Sequence, residues 1–248
     1  MVSSSLLSEE EMFQYPPVWI PKPPLWSNYK EAWEALPFTT FLINTILITI
    51  GRVVPQIFVC SLVAFGFARL KARAKNKLFL LCLATMMLPG QVTMITTYII
   101  FNKLGWVNTF KPLIVPSFFA GAFYVFMLRQ FFLTIPLELD EAARIDGATS
   151  FQIYYHIFLP LAKPALGAVA IFSFMASWND FMGPLIYLHD TAKYPLALGL
   201  QLFQSYGEYA TRWNLIMASS VAMALPPLIL FFFTQKHFIK GITLGGLK

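Results

Sequence analysis

The sequence predicts an all-α, multi-pass helical membrane protein, and three observations predict it. Of 248 residues, 57% are hydrophobic and only 12% are charged, where soluble domains carry about 25% charged residues. The apolar residues are gathered into runs that suit the bilayer core and do not alternate as the strands of a barrel would. The basic residues lie at the ends of these runs, as membrane topology requires, so the net charge of +6 is no sign of nucleic-acid binding.

A helix needs about 20 mostly apolar residues to cross the hydrocarbon core. Five runs qualify: 38–68, interrupted by Arg52; 78–101, free of charge; 112–133, with Arg129 near its end; 164–188, containing Asp180; and 213–234, again free of charge. Backbone groups in lipid must be satisfied within the segment, which makes each run a helix. Cys60 and Cys82 fall inside apolar runs and read as small hydrophobes, not a disulfide. His156, His189 and His237 are scattered, so no metal or cofactor is expected.

Lys and Arg set the orientation. The connection after the first run carries Arg69, Lys71, Arg73, Lys75 and Lys77, a cytoplasmic signal. Alternate crossing then puts 102–111 outside, the region around Glu141 inside, 189–212 outside, and the tail with Lys236, Lys240 and Lys248 inside. The carboxyl terminus is thus expected in the cytoplasm. Residues 1–37, polar and rich in proline, are expected outside, with no signal peptide to export them. Either a helix upstream of this chain carries them across, or a short tail with few positive charges crosses unaided.

Between the third and fourth runs lies a polar island, 134–163, where a membrane protein is driven from outside the bilayer. Pro136 suits the first turn of a helix, and 137–146 reads as that helix, with Asp140 and Arg144 at i,i+4 on its exposed face. Ala142 and Ala143 are small enough for another protein to approach the backbone. Asp146-Gly147 is a stop signal. Thr149 and Gln152 resemble a capping box for a second helix, in which Phe151, Tyr154, Tyr155 and Phe158 share a face. Pro160 and Pro164 end it. A hairpin lying flat on lipid headgroups is the other reading, but Glu138, Asp140, Glu141 and Asp146 would be repelled by a negative inner leaflet.

Glu141-Ala142-Ala143, three residues, Gly147, nine residues, then Ile157-Phe158-Leu159-Pro160 resembles the EAA loop of bacterial ABC importer permeases without a gap. The likeness extends over nearly the whole chain and is greatest to the smaller permease subunit of maltose-type carbohydrate importers. Supporting stretches are Tyr15-Pro16-Pro17 through Asn28-Tyr29, Leu88-Pro89-Gly90-Gln91, Phe101-Asn102-Lys103-Leu104-Gly105, Ser177-Trp178-Asn179-Asp180 and Gly241-Ile242-Thr243-Leu244-Gly245. The resemblance implies a type I ABC importer transmembrane domain over 38–248, preceded by the external segment 1–37. Members usually have six spans, so the family's first is expected to be missing here. It implies that Glu141, Ala142, Ala143, Gly147, Ile157, Leu159 and Pro160 couple the chain to a dimer of cytoplasmic ATP-binding subunits, with Gly241 to Lys248 as a second contact. A second permease subunit and an extracytoplasmic solute-binding protein complete the expected assembly, in the plasma or inner membrane. Gly245-Gly246-Leu247-Lys248 is no phosphate loop, so the chain is not expected to be an enzyme.

Polar groups inside a membrane are expensive and default to functional candidates. Trp178, Asn179 and Asp180 offer a sugar an aromatic face and hydrogen bonds; alternatively the polar pair serves neighbouring helices or backbone freed by Pro184. Gln91, with Thr93, Thr96 and Thr97, either lines the path or packs helices. Arg52 reads as support for a helix contact. An ion-gradient-driven secondary transporter is the alternative function, but such proteins show internal repeats and buried coupling charges, and no clear repeat is visible. A membrane-embedded enzyme lacks any nucleophile–base spacing.

Overall fold

The computed structural model describes residues 1–205 and 212–244, with side chains for 1–203 and 212–234. Every regular element among them is a helix. The principal helices are α1 Ser27–Ala35, α2 Phe38–Arg69, α3 Lys75–Ala84, α4 Gly90–Lys103, α5 Ala122–Thr134, α6 Glu138–Ile145, α7 Ser150–Leu161, α8 Lys163–Trp178, α9 Met182–Tyr187, α10 Leu196–Ser205 and α11 Trp213–Leu244.

Among the described residues, three stretches are long and apolar enough to cross a membrane: Phe38–Arg69, Lys111–Thr134 and Trp213–Thr234. Two bent helix pairs raise the number to five only if each pair is one span. The expectation of five plain runs is therefore corrected. The run 78–101 is two helices meeting at 95°, because Pro89 has no N–H to donate and holds Leu88 in an extended conformation. The run 164–188 is broken after Trp178 and becomes helical again at Met182, and α8 meets the preceding helix at 78°.

On α2, Ile43, Leu47, Ile50, Val54, Phe58 and Leu62 stand exposed at three- and four-residue intervals, while Phe41, Ile48, Cys60 and Ala64 are buried. A helix with oil on its outer face and small or apolar side chains within is suited to lipid or to a neighbouring membrane helix. Three prolines, Pro55, Pro226 and Pro227, lie inside long helices, and the breaks at Pro55 and Pro227 are repaired from elsewhere. Pro55 leaves the Gly51 carbonyl without its usual donor, and the Ser117 hydroxyl donates to it at 3.3 Å. Pro227 does the same to the Met223 carbonyl, and the Trp178 indole Nε1 donates to it at 3.1 Å.

The chain forms two compact units. One comprises Met1–Thr49, Val107–Phe110 and Trp178–Phe233. In it the amino-terminal segment is folded around Asn28, whose Nδ2 donates to the carbonyls of Ser5 at 3.0 Å and Leu7 at 2.9 Å and whose Oδ1 accepts from Asn214 at 3.3 Å. The Asn44 amide donates to the carbonyls of Ala192 at 2.9 Å and Tyr194 at 3.0 Å, and the Thr45 hydroxyl accepts the Leu196 N–H at 2.8 Å. Gly199 lies so close to Phe41 that a Cβ there falls 2.3 Å from the ring. That ring is fully buried and has no room to swing. Gly199→Ala is expected to destabilise the purified protein by about 1–3 kcal/mol, read as a lowered thermal unfolding midpoint; an unchanged midpoint would show that the contact yields.

The other unit comprises Ile50–Trp106, Lys111–Ser177 and Thr234–Lys248. Its core joins α2, α5 and α7 through Cys60, Phe65, Leu128, Phe132, Tyr154 and Phe158. Within it the buried Ser61 and Tyr154 hydroxyls pair at 2.7 Å.

Candidate functional site

The polar island is a rigid helix pair. α6 begins at Glu138, one residue beyond the expected start at Leu137, because the Leu137 carbonyl accepts the first helical N–H groups, from Asp140 at 3.0 Å and Glu141 at 3.1 Å. It closes in a Schellman turn: Ala148 N–H donates to the Ala143 carbonyl at 2.9 Å and Gly147 N–H to the Arg144 carbonyl at 3.1 Å. Gly147 has φ of +82°, a left-handed conformation that glycine adopts without strain. The expected capping box is present, with Thr149 Oγ1 accepting from Gln152 N–H at 3.3 Å and Gln152 Oε1 accepting from Thr149 N–H at 2.8 Å.

The second helix departs from the expected aromatic face. Its middle, Tyr154–Phe158, is π-helical, which changes the angular spacing of side chains along it. Ile153, Tyr154 and Phe158 are buried, whereas Phe151 and Tyr155 face outward. The Phe158 ring packs on Phe65 at 5.0 Å and on Phe132 at 5.4 Å between centroids. Of the seven coupling candidates, Ala143, Ile157 and Leu159 pack against the core, while Glu141, Ala142, Gly147 and Pro160 are exposed. Ile145, which sequence reasoning passed over, is 86% exposed at the end of α6. The hairpin is thus held from beneath and presents a mixed small, acidic and apolar surface.

Asp140 was expected on the exposed face, paired with Arg144. It is buried instead, and its ion partner is Arg69, with Nε to Oδ2 at 3.9 Å. The Arg69 side chain is only 2% exposed. Its Nη2 donates to the carbonyl of Phe132 at 2.7 Å and to that of Ile135, and its guanidinium lies 4.9 Å from the centre of the Phe158 ring. Burial pushes the Asp140 carboxyl above the ordinary carboxylate range, opposed by Arg69 and then Arg144 and assisted by Glu141. Arg129 makes the reciprocal gesture: its Nε donates to the Phe67 carbonyl at 3.3 Å and its guanidinium stacks on Phe79 at 4.1 Å. α2 and α5 therefore end side by side, each lending an arginine to a carbonyl of the other's last turns. Sequence reasoning read Arg69 as one topology charge among five. Its distinguishing mark is position, since it directly abuts the apolar run whereas Lys71, Arg73 and Lys77 are exposed.

The solute-path candidates are divided. Trp178 is 4% exposed and engaged with Met223, while Asn179 is exposed. Asp180 Oδ1 accepts the Gly183 N–H at 3.0 Å, which secures the first turn of α9. Gln91 is exposed on α4 and belongs to the other compact unit. Of the carboxyl-terminal candidate, 241–244 continue α11 as backbone, and 245–248 lie outside the described residues, as does the His237 side chain.

The loop is thus a helix pair set between helices apolar enough for a membrane. Residues 56–244 match the family described as binding-protein-dependent transport system inner membrane component, and the chain belongs to that family. It is a membrane permease subunit of an ABC transport system, not its ATPase and not an ion-driven carrier. Similar proteins include the probable ABC transporter permease YurM of Bacillus subtilis, 32% identical over 100% of this chain and 82% of its own length. The arabinooligosaccharides transport system permease AraQ of Halalkalibacterium halodurans is 37% identical over 87% of this chain and 76% of its own. The sn-glycerol-3-phosphate transport system permease UgpE of Pectobacterium atrosepticum is 31% identical over 96% and 87%. Among solved structures, a chain of a bacterial ABC transporter that imports the acidic polysaccharide alginate superposes with a TM-score of 0.84 at 25% identity, covering 96% of this chain and 88% of that one.

Proposed function

We propose that this chain forms half of the translocation path of an ATP-driven carbohydrate importer and is driven through the loop 134–163. The observation that carries the reading is the helix pair itself: joined at its tip by a Schellman turn and a capping box, rooted by Tyr154 and Phe158, and open to a partner at Glu141, Ala142, Gly147 and Ile145. A hairpin so braced transmits a push that a loose loop would absorb. Ala143, Ile157 and Leu159 secure it from below, and α7 continues through Pro160 to Leu161 in place of the expected stop at that proline.

A second permease subunit, a dimer of cytoplasmic ATP-binding subunits and an extracytoplasmic solute-binding protein complete the complex. The adjoining ends of α2 and α5 support a common side for the basic connection and the coupling loop; with the positive-inside rule, this reading has the carboxyl terminus in the cytoplasm and 1–37 outside. Carbohydrate is the solute class favoured by the kinship with AraQ and with the alginate importer. Asn179, Asp180 and Gln91 are the polar candidates for the path, and Trp178 braces the α11 bend.

The experiment is uptake into proteoliposomes holding the assembled importer and its binding protein, with a panel of neutral oligosaccharides, acidic oligosaccharides and glycerol phosphate. At least one is expected to enter only with ATP. Asp180→Ala is expected to lower that uptake about tenfold, equivalent to about 1.4 kcal/mol, while the ATPase still co-purifies. Uptake without ATP, or none with any member of the panel, overturns the proposal.

A further inference from the structure

We propose that Arg69 is the positioning residue that transmits movement of the α6–α7 hairpin to α2. The proposal rests on the coupling function assigned to that hairpin. One guanidinium joins four elements: it is the last residue of α2, it holds the Phe132 and Ile135 carbonyls at the end of α5, it covers Phe158 of α7, and it faces Asp140 of α6. Three of these contacts are made and one is open. The gap from Nε to Asp140 Oδ2 is 3.9 Å, longer than a hydrogen bond. Arg69 Nε and Asp140 Oδ1 are both buried and have no hydrogen-bond partner.

An open contact between two buried charged groups is a high-stakes arrangement. Closing it to hydrogen-bond length requires a shift of about 1 Å, a small rigid-body movement for a short helix. The carbonyls of α5 fix the guanidinium on one side, so Asp140 is the adjustable side. When a partner presses α6 inward, the carboxylate reaches Nε and the hairpin is locked to the end of α2. When α6 is drawn outward, the link opens and α2 is released. Arg129 does not serve this purpose, since its contacts are to Phe67 and Phe79, away from the hairpin.

The test uses the complete importer in proteoliposomes and reads solute taken up per ATP hydrolysed. Asp140→Asn keeps the shape of the side chain and removes its charge, and burial already disfavours that charge, so the complex is expected to assemble. Arg69→Lys keeps the charge but does not span two carbonyls and a carboxylate together. Both variants are expected to retain the ATPase in the purified complex and to hydrolyse ATP, while uptake per ATP falls fivefold or more. A ratio equal to that of the wild type in both variants overturns the proposal. So does a parallel fall of uptake and hydrolysis that tracks loss of assembled complex, since that marks a purely structural residue. If the wild-type complex binds no ATPase, the coupling function itself fails, a result distinguishable from either.

Discussion

Gly147→Val is expected to abolish coupled transport while leaving the rest of the chain folded. The residue has φ of +82°, where an L side chain costs about 1–2 kcal/mol and a β-branched one is a genuine outlier. A Cβ at this position meets nothing within 4 Å, so the penalty is conformational and not a clash inside the chain. Relief requires the Schellman turn to open, which frees the Ala143 and Arg144 carbonyls and redirects α6. About 1.4 kcal/mol corresponds to a factor of ten, so ATP-driven uptake and retention of the ATPase on purification are each expected to fall about tenfold or more. Gly147→Asn separates backbone from interface, because asparagine tolerates the left-handed region. It should preserve the turn, and any loss it causes reports on the surface presented to the partner. If valine is as active as glycine, the turn is not the stiff joint described here.

Phe158→Ala is expected to have the largest effect on stability. The ring is fully buried and is shared by α2, α5 and α7 through Phe65, Phe132 and the Arg69 guanidinium. Truncating such a residue costs about 3–5 kcal/mol through lost contacts and the cavity left behind. Loss of the cation–π contact adds about 0.5–2 kcal/mol where the cation is desolvated. The expected readout is a markedly lower unfolding temperature in detergent, with uptake lost because the hairpin loses its root. Phe158→Leu refills part of the space and should recover much of the loss. An alanine variant as stable as the wild type would show that the hairpin is not anchored through this ring.

How much of this was legible beforehand depends on the range of the interaction involved. The turn at Gly147 and the capping box at Thr149 and Gln152 were readable because both are local: the residues that make them lie within a few positions of each other. The apolar runs were readable for the same reason. Asp140 was misplaced because an i,i+4 partner is visible in sequence, whereas Arg69 is distant in sequence and adjacent only once α2, α5 and α6 have packed. Phe151 and Tyr155 were assigned inward on a 3.6-residue period that the π-helical segment does not keep. The bend at Pro89 was legible as a Pro-Gly signal, but its angle was not, since that is set by tertiary packing. Trp178 is instructive in the same way. An indole beside Asn179 and Asp180 suggests a sugar platform, and its bond to Met223 emerges only when Pro227 is recognised as having left that carbonyl bare.

The repaired prolines bear on the order in which the protein is made. The lesion at Pro55 is mended by Ser117, which is synthesised well after α2 has emerged, so α2 carries an open acceptor until the chain has grown past residue 117. The lesion at Pro227 is mended by Trp178, already in place when α11 arrives. The assembly of α2 therefore has a vulnerable interval, during which membrane quality control has an opportunity to reject the nascent chain.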